Sequence, residues 1–109
     1  MVEGIGGWLV PIDARLSMAD VACALGLPVV LVGGLRLGAI NHALLTRAAV
    51  LAHGCRLAGW VANHPQGAAP EGYLEALTAR LDAPCLGVIP PQASPRVAAH
   101  CLAPGLASV

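Results

Sequence analysis

Apolar positions in this chain alternate between short unbroken runs and longer stretches at helical spacing. Val29, Val30, Leu31 and Val32 follow Pro28 without a polar break. Proline is tolerated where a strand starts, and an unbroken apolar run predicts a strand covered on both faces. Gly33 and Gly34 are expected to release the chain from extended geometry. Ile40, Ala43, Leu44, Ala48 and Leu51 then recur at the spacing of one helix face. That helix starts between Ala39 and Asn41 and stops at His53 and Gly54. Leu45, Ala49 and Val50 widen its apolar stripe, a pattern of deep burial or of a surface shared with a partner. Residues 56–63 form a second buried strand, and residues 85–89 a third, closed by Pro90 and Pro91. Between them, residues 71–81 read as an amphipathic helix with Tyr73, Leu74, Leu77 and Leu81 on its apolar side. Residues 64–70 read as a mobile loop.

Ahead of the first run, Ser17 with Asp20 three residues later marks a helix start, and Gly26 a helix stop. A helix over Met18–Leu25 is predicted. Trp8 to Ile12 is a short apolar run, a strand or an extended loop. Val2 and Glu3 read as the end of a strand before the turn of Gly4, Gly6 and Gly7. The tail from Gln92 is a weak helix or disordered. Strands and helices alternate, which predicts an α/β fold with a mostly parallel sheet. The carboxyl ends at Glu3, Gly33, Asn63 and Ile89 converge on the edge where open sheets bind ligands.

Composition changes this picture in one respect. Apolar residues make up 57% of the 109 residues and charged residues 11%. One small domain so built has too little polar surface to coat itself, which predicts a large interface with a second copy or a missing piece of the fold. Formal net charge is zero, and every basic residue other than histidine is an arginine. No basic footprint for nucleic acid is visible. The longest uncharged apolar run, residues 21–35, is too short to span a bilayer, and no basic leader precedes an apolar segment. Cys23, Cys55, Cys85 and Cys101 match no zinc spacing. Buried free thiols in a reducing cytoplasm are expected.

Two places carry candidate chemistry. The helix start at Ala39 to Asn41, with small Gly38 and Ala39 and the charged Arg36, offers an anion site. On that stretch alone, a structural βα unit without a site is the preferred reading. Glu3, a carboxylate beside a glycine turn, is of a type that can hold Mg²⁺, but without further context a solvated glutamate near a loop is the favoured reading. His42 lies where the helix dipole disfavours a charged imidazole, so a neutral packing or hydrogen-bonding role is expected.

Four ordered motifs then resemble the dethiobiotin synthetase family. They are Val2-Glu3-Gly4-Ile5-Gly6-Gly7-Trp8, then Leu35-Arg36-Leu37-Gly38-Ala39-Ile40-Asn41-His42-Ala43, then Gly59-Trp60-Val61-Ala62-Asn63, then Leu86-Gly87-Val88-Ile89-Pro90. The resemblance implies part of a P-loop NTPase-like three-layer fold over residues 1–91, with residues 92–109 as a tail. It implies a cytoplasmic, homodimeric ligase of biotin biosynthesis that uses ATP and Mg²⁺ to form dethiobiotin from 7,8-diaminononanoate and CO₂. By this resemblance Glu3 is the Mg²⁺ ligand. Glu3, Gly4, Ile5, Gly6, Asn63, His64, Pro90, Pro91 and Gln92 lie along the ATP. Gly7, Arg36, Leu37, Gly38, Ala39, Asn41 and Tyr73 lie along the substrate.

The sequence departs from the family in ways that matter. The family's phosphate cradle, G-x-x-x-x-G-K-S/T, is absent, and so is every lysine. Ile5 stands where a small alanine is usual. The chain therefore reads as the C-terminal part of such an enzyme, inactive alone. The alternatives are a non-catalytic dimerising remnant and another P-loop relative, such as a cobyrinate amidation enzyme or a partitioning ATPase.

Overall fold

A computed structural model describes residues 1–4, 6–64, 70–104 and 106. Seven elements follow in the order α1 (Met18–Leu25), β1 (Val29–Gly34), α2 (Ala39–Ala52), β2 (Leu57–Asn63), α3 (Tyr73–Arg80), β3 (Cys85–Ile89) and α4 (Pro95–His100). The strands form one parallel sheet in the order β1-β2-β3. The α/β architecture expected from the apolar pattern is the one found.

β2 is the central strand and carries the core. Trp60, Val61 and Ala62 are buried on it. Trp60 and Ala62 pack with Leu35, Ala43, Leu77 and Leu81. The buried indole of Trp60 donates its N–H to the Ala83 carbonyl at 3.1 Å, so its polar atom is not stranded. β1 departs from expectation. Val32 is 61% exposed, so the strand is not covered on both faces, and among the described residues it has a sheet neighbour along one edge. Gly33 and Gly34 do not leave the strand. They pair with Ala62 and Asn63, and the ladder holds them extended.

Local chemistry sets the element ends. Ser17 caps α1, and its backbone N–H and hydroxyl both donate to the Asp20 carboxylate at 2.7 Å. These bonds, the backbone one foremost, hold the Asp20 carboxyl below its ordinary range. Asp13 is lowered in the same way by the N–H groups of Arg15 and Leu16. That turn brings Pro11 against Ser17 in a single antiparallel bridge, and residues 8–12 form a turn at Trp8 and Leu9 followed by that bridge rather than a strand. Val2 and Glu3 form no strand either: both are exposed, and among the described residues no ladder partner lies beside them. α3 begins two residues later than its apolar pattern suggests, since Gly72 at φ 79° forces a turn ahead of Tyr73.

The chain beyond β3 turns back on the sheet. Ser94 caps α4 by accepting from the Val97 N–H, and Leu102 bridges antiparallel to Gly87. The expected loop over residues 64–70 falls mostly on residues 65–69, outside the described ones. The cysteines are less buried than expected. Cys85 is exposed and the other three half-buried, all as free thiols. Among the described residues no helix is long and apolar enough to cross a membrane.

Candidate functional site

The three strands end in register. Gly34 lies opposite Asn63, and Asn63 opposite Ile89. Beyond β1 the Leu35 N–H continues the ladder to the Asn63 carbonyl at 2.8 Å, and the Leu35 side chain is buried in the core. This anchor leaves Arg36 exposed at the sheet edge. Gly38, at φ 89°, then turns the chain into α2, a conformation that a side chain would strain. The Ala39 N–H bonds the Arg36 carbonyl, and the His42 N–H bonds Gly38. The N–H groups of Ile40 and Asn41 have no carbonyl partner among the described residues, as the first turn of a helix dictates.

A cleft of about 270 Å³ opens between the end of β1 and the first half of α2. Gly6, Leu31, Val32, Gly33, Gly34, Arg36, Ala39, His42, Ala43 and Thr46 line it. Gly6 enters at φ 83°, and a Cβ there would stand 2.9 Å from a Val10 methyl. Glycine is thus required for the N-terminal turn to reach the cleft. Among the described residues Arg36 is the one permanently charged lining residue, so the cleft suits an anion.

Of the residues singled out for a substrate, Arg36 and Ala39 line this cleft. Gly7, Leu37, Gly38 and Asn41 flank it in sequence without lining it, and Leu37 is 89% exposed. Tyr73 is half-buried at the first position of α3, away from the lining. Of those singled out for ATP, Gly6 lines the cleft, while Asn63, His64, Pro90, Pro91 and Gln92 gather at the neighbouring β2–β3 end. The His64 N–H donates to Ile89 there at 3.0 Å. The Asn63 side-chain amide has no hydrogen-bond partner among the described residues. Gln92 sits at φ 55°, a left-handed conformation uncommon for a residue with a side chain. Gly4 packs beside Met18, where a Cβ would meet the Met18 methyl. Ile5 lies outside the described residues.

His42, expected to pack or hydrogen-bond, and Thr46, which the sequence did not single out, also line the cleft. His42 is exposed on the cleft wall rather than packed as a structural residue. Thr46 joins it through a hydroxyl that donates to the His42 carbonyl at 2.8 Å. Their signal was the i, i+3, i+4, i+7 series of 39, 42, 43 and 46, which share one helix face.

Among the described residues no three His, Cys, Asp or Glu side chains gather to hold a metal. Glu3 is exposed, and its carboxylate has no hydrogen-bond partner among the described residues. A single free carboxylate suits Mg²⁺, which commonly takes one or two protein oxygens and completes its shell with phosphate and water.

The model of the AAA domain family matches residues 1–96. The chain is 55% identical over 92 residues to the ATP-dependent dethiobiotin synthetase BioD of Pseudomonas paraeruginosa, covering 83% of this chain and 40% of that protein. With the protein of the same name from Pseudomonas aeruginosa it shares 53% identity over 105 residues, covering 92% and 46%. With that from Janthinobacterium it shares 50% over 101 residues, covering 91% and 43%. The chain spans less than half the length of these curated relatives.

Proposed function

The chain belongs to the AAA domain family, within it to the dethiobiotin synthetases, and on that premise we propose that it supplies the substrate-carboxylate and nucleobase side of an ATP-dependent, ring-closing ligase. The substrates are 7,8-diaminononanoate, CO₂ and ATP. One amine is carboxylated, the carbamate is phosphorylated, and the second amine closes the ureido ring. The observation that carries this reading is the cleft at the end of β1, where Arg36 and the open start of α2 face the same space.

Arg36 holds the substrate carboxylate through its planar fork, with the α2 N–H groups behind it. Leu37, Gly38, Ala39 and Asn41 complete this segment, which receives the carboxylate across a homodimer interface. Gly7 and Tyr73 border the substrate. Asn63 reads the adenine edge with its side-chain amide, and His64, Pro90, Pro91 and Gln92 wall the base. Gly4, Ile5 and Gly6 pass beside the terminal phosphate. Mg²⁺, when bound, neutralises phosphate charge, and Glu3 offers it one oxygen. The phosphate cradle and the lysines that phosphoryl transfer depends on are not among these 109 residues. The chain alone therefore forms no dethiobiotin, and the reaction it would serve is a cytoplasmic one.

The test is a pair of titrations on the chain joined to the remaining length of the Pseudomonas aeruginosa relative. Arg36→Ala should weaken diaminononanoate binding roughly ten- to a hundredfold, the worth of one charge-assisted contact, and leave ATP affinity nearly unchanged. Asn63→Ala should do the reverse. If Arg36→Ala loses ATP instead, or neither variant separates the ligands, the assignment is wrong.

A further inference from the structure

At the opposite, amino-terminal edge of the sheet two thiols meet. The Cys23 Sγ lies 3.0 Å from the Cys55 Sγ, about 1 Å beyond the length of a disulfide bond. Both positions are fixed by backbone. Cys23 is in the last turn of α1, and the Gly26 N–H closes that turn on the carbonyls of Ala22 and Cys23. Gly54, at φ 74°, turns the chain out of α2, and the Cys55 N–H bonds the Val50 carbonyl. A second cleft, of about 250 Å³, opens on the pair between Leu27, Pro28, His53 and Arg56. The sulfurs are thus both adjacent and reachable. Among the described residues no third ligand joins them, which argues against a metal.

We propose that Cys23 and Cys55 form a reversible disulfide by exchange with a small-molecule disulfide that enters this cleft. One cysteine thiolate attacks a sulfur of the reagent, giving a mixed disulfide and expelling one small thiol. The other cysteine thiolate attacks the protein sulfur of that intermediate, closing the Cys23–Cys55 bond and expelling the second small thiol. Two protons leave the cysteines and end on the two released thiols. The protein loses two electrons and the reagent gains them. The bond ties α1 to the α2–β2 turn, closing a loop between positions 32 apart, which restricts the unfolded chain. Cys23 is held as a thiol at rest, because its contact with Cys55 and its partial burial push its pKa up. The assignment is independent of the nucleotide reading, since it lies at the other end of the sheet.

The experiment treats the pure chain with oxidised glutathione, then maps linked peptides without reduction. In native buffer the dominant product should be the Cys23–Cys55 link, with two thiols lost and a raised Tm. Cys85→Ser with Cys101→Ser should leave that product unchanged. Cys23→Ser or Cys55→Ser should instead retain glutathione on the remaining partner. In guanidinium chloride the preference should vanish. Links that use Cys85 or Cys101 as often in native buffer, or a wild-type chain whose Cys23 and Cys55 stay free or glutathionylated, would overturn the proposal.

Discussion

Arg47 shows how one side chain joins two elements. Its Nε donates to the Leu81 carbonyl at 2.7 Å, and its terminal nitrogen lies 3.4 Å from the Asp82 carboxylate. The ion pair is exposed on the Asp82 side and contributes little. The bond to Leu81 is half-buried and satisfies a carbonyl at the end of α3. Arg47→Ala should therefore lower stability by about 1–2 kcal/mol in a denaturant titration. Asp82→Gly should raise it by about 1 kcal/mol, because Asp82 sits at φ 50° and glycine accepts that region without strain. Equal losses in the two variants would mean that the ion pair, not the carbonyl bond, matters. Neither feature was legible in the sequence, since Arg47 and Asp82 are far apart along the chain. The Ser17–Asp20 cap was legible, because both partners lie within one turn and their spacing is the signal.

Elements were legible where their pattern was local. α1, α2 and β3 fall where capping residues, helical spacing and an unbroken apolar run put them. What the pattern could not show is which strand is central. Val29 to Val32 are as apolar as a central strand, yet β2 holds that place, because centrality depends on which strands find two partners. The same reason explains Gly33 and Gly34, which pairing holds straight. The return of the tail onto β3 is also non-local. A Cβ on Gly87 would run into the Cys101 carbonyl and the Leu102 Cα, both backbone and unable to yield. Gly87→Val should displace residues 101–103, cost about 1–3 kcal/mol, and expose the Ala103 N–H that now bonds Leu86. Hydrogen exchange of that amide is the measurement, and unchanged protection would show that the tail does not rest on β3.

The whole molecule exposes 7157 Å², against about 5,600 Å² for a compact 11 kDa monomer. Val32, Leu37 and Leu45 contribute to the excess at 60% exposure or more, and β1 leaves one edge unpaired among the described residues. Such an edge with apolar neighbours invites pairing. Sedimentation should show average mass rising with concentration, and a constant monomer mass at high concentration would refute this. The composition signalled this surface at the outset, but not its location. The candidate site was legible in part for the same reason. Arg36 and Ala39 stood out by type, whereas His42 and Thr46 joined them only once α2 was laid along β1. The central proposal is that Arg36 and its neighbours hold the substrate and that Asn63 and its neighbours hold the base, while the phosphate cradle is not among these 109 residues. Its most direct test is dethiobiotin formation from ATP, Mg²⁺, CO₂ and diaminononanoate, measured for the pure chain and for the chain joined to the rest of the Pseudomonas aeruginosa relative. The account predicts no product from the first and turnover from the second. Product from the chain alone, or none from a folded joined chain that binds both ligands, would contradict it.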